Sequence, residues 1–159
     1  MKIHKGMRPQ DVAILLKIAT LNNPSWQNKD ISNSLSISPS EVSEAIKRCT
    51  FAKLLGVSGR NIHINSLKEF LVYGLKYVFP VEPGAIVRGI PTAHSASPLN
   101  SRITSNSDIY VWQYDEGDFR GQQIEPLYKT IPKAALQDSR FYELLAIVDG
   151  LRVGRAREI

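Results

Sequence analysis

The most restrictive feature of the sequence is a helix start at residues 38–41. Ser38 is a good N-cap residue, Pro39 fits the first helical turn, and Glu41 stands three residues after the cap. Together they predict a capping box, in which side chains bind the free backbone N–H groups of the first turn. An apolar stripe follows at helical spacing, made of Val42, Ala45, Ile46 and Cys49. We therefore expect a helix from Pro39 to residue 54 or 55, with this stripe in a core.

Two more helical patterns precede this one, over residues 9–21 and Asn28–Leu35, and a three-residue turn at 36–38 leads into the third. Three helices joined in this way are typical of a helix-turn-helix. A recognition helix needs one buried face. It also needs an exposed amino-terminal half without bulky apolar groups, so that its side chains can reach base edges in the major groove.

The outward face of the third helix meets this need. Serine can bond several bases, glutamate can accept from the cytosine amino group, and lysine favours guanine edges. The residues predicted to read bases are Ser40, Ser43, Glu44 and Lys47. The residues predicted to hold phosphates are Lys29, Arg48, Lys53 and Arg60. The alternative for Glu44 is a surface ion pair with Lys47 or Arg48, three and four residues later.

The charge distribution is uneven along the chain. Residues 1–80 contain 11 Lys and Arg against 5 Asp and Glu, whereas residues 81–159 contain 9 against 10. A basic half beside a near-neutral half indicates a module that binds a polyanion, joined to a part with another task. The alternatives are a solvated lysine-rich surface and a small helical bundle with no nucleic-acid role.

Residues 28–55, with the sequence NKDISNSLSISPSEVSEAIKRCTFAKLL, resemble the winged helix-turn-helix of MarR-like bacterial transcriptional regulators. The resemblance covers about residues 8–80 and implies a DNA-binding module, with the four base-reading residues named above facing the bases. The wing departs from the family pattern, because it is reduced to residues 56–64 with Arg60 as its one cation. Residues 89–96 and 144–155 resemble regulator-like proteins of toxin–antitoxin or defence-type operons, which implies an operon-specific regulator or an antitoxin.

The rest of the chain predicts a mixed structure. A fourth helix begins at residue 65 or 66 and ends at Pro80, and residues 81–108 contain too much proline and glycine for a long helix. Their apolar members favour an ordered arm over a linker. Residues 109–124 predict a β-hairpin, followed by a helical turn around residues 133–136 and a last helix capped by Asp138 or Ser139.

We therefore predict a mainly α fold with a small β component. It consists of a winged helix-turn-helix over residues 1–80, and of an arm, hairpin and helix over residues 81–159 for dimerisation or partner docking. Small residues recur every fourth position of the last helix, at Ala146, Gly150 and Gly154. This row predicts close approach of a second subunit, and the alternative is packing within the same chain. Tyr110, Trp112 and Tyr114 line a partner surface or lie in the hairpin core.

Several function classes are not expected. No stretch of about 18 apolar residues and no signal-peptide pattern occurs, so we expect a soluble cytoplasmic protein. The single cysteine, Cys49, and three scattered histidines predict neither an internal disulfide nor a standard zinc site. His94 lies beside Thr92 and Ser95 without a local carboxylate, so we expect no catalytic residue, metal or cofactor.

The predicted function is that of a dimeric, sequence-specific repressor of its own operon that binds double-stranded DNA. The alternative is an antitoxin-like module that binds a toxin or effector protein, encoded in the same operon, through residues 81–159.

Overall fold

The computed structural model describes residues 5–21, 23, 25–101 and 108–154. The first three helices are α1 (Pro9–Thr20), α2 (Asn28–Leu35) and α3 (Pro39–Phe51). All three predicted helices are confirmed, although α3 ends before residue 54 because the chain turns at Lys53, whose φ is +69°. Ser36 adopts a left-handed conformation at the end of α2, with φ of +54°, and this residue makes the short turn into α3.

The predicted cap of α3 is half confirmed. The Ser38 hydroxyl accepts the backbone N–H of Glu41 at 3.2 Å, as the sequence predicts. The Glu41 carboxylate, however, accepts a hydrogen bond from the Tyr128 hydroxyl at 3.2 Å. A side chain from the carboxyl-terminal half of the protein therefore contacts the first turn of α3.

The predicted fourth helix is present over three consecutive segments. They are α4 (Ile64–Glu69), a π-helical turn (Phe70–Gly74) and α5 (Leu75–Val78). The loop between α3 and α4 contains one antiparallel bridge, between Leu55 and Ile62. Within the described residues this loop is a reduced turn and not a hairpin of two strands.

Three short strands close into a small barrel. They are β1 (Ile86–Pro91), β2 (Tyr110–Gln113) and β3 (Phe119–Gln123). The predicted hairpin is wrong, because β2 and β3 run parallel and each pairs antiparallel with β1. Gly89 of β1 pairs with Gln113 of β2 on one side and with Phe119 of β3 on the other. The pairing with β2 ends there, whereas β3 continues along β1 to Ile86. Part of the predicted irregular arm is thus strand β1, while residues 102–107 lie outside the described residues.

Glycines allow the barrel to close. A Cβ on Gly89 would lie 1.9 Å from the Trp112 carbonyl oxygen, and one on Gly121 would lie 2.4 Å from that of Ile109. A Cβ on Gly117 would lie 2.3 Å from the carbonyl oxygen of Gly89. These distances are far below van der Waals contact, so only glycine fits at these positions.

Two 3-10 turns, Ala93–Ser95 and Leu99–Ser101, lie between β1 and β2, and the helices α6 (Ile131–Ala135) and α7 (Ser139–Val153) follow β3. The mainly α fold with a small β component is confirmed. No helix in the described part of the chain is long and apolar enough to cross a bilayer.

One hydrophobic core draws on both halves of the chain. It joins Val12, Leu35 and Val42 from the first helices to Trp112 from β2 and Phe141 from α7. A division at residue 80 therefore stays a prediction. Tyr110 and Trp112 are buried and Tyr114 is half-buried, as in the alternative that places these aromatic residues in the core.

Candidate nucleic-acid interface

The inner face of α3 is firmly anchored. Val42, Ala45 and Cys49 are fully buried, and α3 packs against α1 and α2. Cys49 lies in a small apolar cluster with Leu15 and Leu55, and this burial raises the pKa of its thiol. The helix therefore has the fixed inner face that a recognition helix requires.

A buried ion pair adds to this anchor. Nε and Nη2 of Arg48 donate to the two carboxylate oxygens of Asp11 at 2.8 and 2.9 Å. Asp11 also accepts the backbone N–H of Arg8 at 2.9 Å, so the same carboxylate caps α1. The hydrogen bonds to Asp11 raise the pKa of Arg48 above its ordinary value despite the cost of desolvation.

This pairing argues against the phosphate contact predicted for Arg48. Its side chain is 10% exposed, and two of its three guanidinium nitrogens bind Asp11. The spacing along α3 did not indicate this role, because the partner lies on another helix.

The outer face of α3 carries three exposed side chains, Ser40, Glu44 and Lys47, and Ser43 is half-buried beside them. Lys47 Nζ lies 3.2 Å from Glu44 Oε1, and the two side chains are 70% and 60% exposed. This is the surface pair named above as the alternative for Glu44. Such a pair contributes about 0–1 kcal/mol in water, so a ligand can separate it at little cost.

Of the predicted phosphate contacts, Lys29, Lys53 and Arg60 are exposed, and Lys53 lies in a shallow depression with Lys47. The guanidinium of Arg60 lies 4.6 Å from the centre of the Trp26 ring, and its Nη1 donates to Asn28 Oδ1 at 3.1 Å. The Trp26 indole donates in turn to the Arg60 carbonyl oxygen at 3.3 Å. The loop between α3 and α4 is therefore docked at the start of α2, with Arg60 held against the helical part of the protein.

The small-residue row of α7 packs within the chain. Ala146 and Gly150 are buried, and α7 contacts α1, α5 and the Ala93–Ser95 turn. Gly154 ends the helix with φ of +77° and is half-buried near Lys76. The row therefore packs within the same chain, which was the alternative to dimerisation. Ala146 and Gly150 offer no surface to a second subunit.

A buried polar cluster on α7 was missed by sequence reasoning. Asp149 Oδ2 accepts from the Thr92 hydroxyl and from the Trp112 indole, both at 2.7 Å, and its Oδ1 accepts from Arg152 at 2.9 Å. Burial raises the pKa of Asp149, while Arg152 and the other two donors stabilise its charged form. The sequence feature that could have indicated this cluster is Asp149, a lone carboxylate among apolar residues, with Arg152 three positions later.

The residues around His94 also have structural bonds. Thr92 binds Asp149, and the Ser95 hydroxyl accepts the backbone N–H of Tyr110 at 2.9 Å. His94 is 2% exposed, and its Nε2 lies 2.7 Å from the carbonyl oxygen of Asp108. No group of three or more metal-ligating side chains occurs within the described ranges.

Comparisons of the chain with protein-family models, with curated proteins and with solved structures give no match. The resemblance to MarR-like regulators stays a prediction.

Proposed function

We propose that this protein binds duplex DNA through α3 and regulates transcription. The observation that carries the proposal is the contrast between the two faces of α3. Its inner face is buried and held by the Asp11–Arg48 pair, whereas its outer face presents small and charged side chains from Ser40 to Lys47, with the exposed Phe51 ring in the last turn. A helix of this kind can enter a major groove without first uncovering apolar surface.

In this proposal Ser40, Ser43, Glu44 and Lys47 contact bases. Binding separates Lys47 from Glu44, which frees the ammonium group for a guanine edge and the carboxylate for a cytosine amino group. Three exposed cations hold backbone phosphates in this proposal; they are Lys29, Lys53 and Arg60. Arg48 is left out because its guanidinium binds Asp11.

The proposal includes a homodimer that represses its own operon. Two copies of one helix-turn-helix bind two half-sites and gain the affinity that one module lacks. The dimer surface lies elsewhere than the Ala146 and Gly150 row, because both residues are buried within the chain.

The test is binding to duplex DNA from immediately upstream of the gene, compared with a scrambled duplex of equal length over a salt series. We expect tighter binding to the upstream duplex and a steep loss of affinity as salt rises. The Ser43→Ala, Lys47→Ala double variant should lose the preference for the upstream duplex. Lys133→Ala removes another exposed lysine, in α6, and is the matched control.

Two outcomes contradict the proposal. One is a double variant that binds the upstream duplex as tightly and selectively as the parent protein. The other is equal and weak binding of the parent protein to both duplexes, which would leave only a basic surface.

A second candidate function is protein binding through residues 81–159, as in an antitoxin. It is favoured by three exposed apolar side chains on or beside the barrel strands, Ile86, Ile109 and Phe119, which are 59%, 41% and 48% exposed. Scattered apolar residues are ordinary on protein surfaces, so we rank this function second. Stoichiometric co-purification with a protein encoded in the same operon, lost in Phe119→Ser, would support it.

A further inference from the structure

A groove of about 540 Å³ lies between the start of α1 and the outer face of α3. Its walls come from the segment before α1 on one side and from α3 on the other. The residues that line it are Lys5, Arg8, Gln10, Ser40, Glu41, Glu44, Lys47, Arg48 and Phe51. This volume is within the range of sites that hold small organic groups, which is roughly 300–1,000 Å³.

Most charges in the groove have partners. Arg48 binds Asp11, Lys47 binds Glu44, and the Glu41 carboxylate accepts from Tyr128. Among the residues that the structure describes, the side chains of Lys5 and Arg8 form no ion pair. Two cations on one wall of the groove therefore form no ion pair within the described residues, although the carboxylates of Glu41 and Glu44 line the same groove.

The position of Lys5 is defined by an aromatic contact. Its Nζ lies 5.2 Å from the centre of the Phe51 ring, which is 61% exposed near the end of α3. Arg8 is exposed immediately before α1, and its backbone N–H is fixed by Asp11 at 2.9 Å. The two cations thus stand opposite α3 on a segment that is tied to the helical core.

We propose that this groove binds a phosphate group of the DNA backbone through Lys5 and Arg8. The inference rests on the proposed function and adds to it, because it names two contacts that lie outside the helix-turn-helix pattern. Ser40, Glu44 and Lys47 form the opposite wall. In the proposed complex, the backbone of a DNA strand whose bases contact these three residues runs beside them, at the groove. Ammonium and guanidinium groups bind phosphate oxygens through charge-assisted hydrogen bonds, without regard to base sequence.

The experiment compares the salt dependence of DNA binding in the parent protein and in the Lys5→Gln, Arg8→Gln double variant. Each lost phosphate contact lowers the slope of log affinity against log salt concentration by about 0.9, so the double variant should lose about 2. Affinity should fall by the same factor for the upstream and the scrambled duplex, with the preference between them unchanged. Lys133→Gln is the matched control, and Lys5→Arg, Arg8→Lys should keep the slope of the parent protein.

The outcomes separate this inference from the proposed function. A parent protein that selects the upstream duplex, with an unchanged slope in the double variant, would overturn the groove assignment alone. A parent protein that selects neither duplex would overturn the proposed function alone, and one that binds neither duplex would overturn both.

A second arm asks whether the phosphate comes from a free small molecule instead. Inorganic phosphate is titrated into the protein without DNA, and the backbone amide signals of residues 5–10 are followed by NMR. Saturation at micromolar phosphate, together with release of bound DNA, would assign the groove to a free phosphate compound and overturn the backbone contact. Weak shifts at tens of millimolar, lost in the double variant, agree with the proposal. Urea unfolding of each variant checks that the fold is retained.

Discussion

The first three helices and the three-stranded barrel are held together in different ways. In α1 to α3 a side-chain pair, Asp11 with Arg48, links two helices. In the barrel the backbones touch, since a Cβ on Gly89 would lie 1.9 Å from a carbonyl oxygen. The difference has a functional meaning. Side chains on the outer face of α3 can be replaced without disturbing the fold. The barrel, in contrast, requires glycine at Gly89, Gly117 and Gly121.

The largest effect should come from breaking the ion pair of the helical region. Asp11→Asn removes one charge and leaves the buried Arg48 guanidinium uncompensated. We expect the free energy of unfolding in urea to fall by about 3–5 kcal/mol. The double variant Asp11→Leu, Arg48→Met should recover most of this loss, because it leaves no buried charge. A small effect of Asp11→Asn would show that apolar packing alone holds α1 to α3.

The next effect tests the barrel. Gly89→Ala forces the strands apart at the point where β1 pairs with both neighbours, and we expect a loss of about 3 kcal/mol in urea unfolding. Gly84→Ala is the matched control, because a Cβ there would lie 3.7 Å from its nearest neighbour, in ordinary contact. Equal effects of the two substitutions would remove the contrast between the regions.

A smaller, pH-dependent effect is expected where α1 meets α7. Lys17 Nζ lies 2.8 Å from Asp138 Oδ2. Burial opposes the charged form of Asp138, but bonds from Lys17 and from backbone N–H groups outweigh it and hold its pKa below 3.8. The contribution of the charged Asp138 side chain to stability is full above the pKa of this group in the unfolded state. It is lost as the pH falls through the pKa of the group in the folded state.

The variant for this test is Asp138→Asn, because asparagine keeps the cap of α7 and removes only the charge. It should lower the free energy of unfolding by about 1 kcal/mol at pH 7. The difference from the parent protein should shrink as the pH falls below 3.8, the ordinary pKa of the group. A difference that stays constant from pH 7 to pH 3 would show that this charge does not stabilise the fold.

The smallest effect on stability is expected on the outer face of α3. Lys47→Gln breaks an exposed pair with Glu44 and should change the free energy of unfolding by less than about 0.5 kcal/mol. Thermal melts of Lys47→Gln and Asp11→Asn under the same conditions would compare how much the outer and inner faces of α3 contribute to stability. A loss above about 2 kcal/mol would mean that the outer face is also structural, and it would weaken the interpretation of DNA-binding losses in Lys47 variants.

Sequence reasoning did best where the signals are local. Ser38 and Pro39 located the start of α3, and Asp138 did so for α7, because caps act within one helical turn. The barrel was missed for the opposite reason. Strand β1 contains a glycine and a proline, and its partners lie about twenty to forty residues later, so no local pattern indicates the pairing.

The candidate site shows the same limit. Helical spacing predicted which α3 residues lie outside, and Ser40, Glu44 and Lys47 are indeed exposed. It did not show that Arg48 has a partner 37 residues earlier, since that contact depends on how α1 packs on α3. Lys5 and Arg8 were overlooked because they precede the first helix and belong to no motif.

The Asp149 cluster also affects the order in which the protein can fold during synthesis. Residues 86–123 are made before α7, yet the Trp112 indole N–H and the Thr92 hydroxyl bind a carboxylate at position 149. Arg152 then binds the carbonyl oxygens of Phe79, after α5, and Glu125, after β3. While the ribosome is still making α7, these buried groups have no protein partner. The helices α1 to α3 can pack early, but the barrel reaches its final state only once residue 152 has been added.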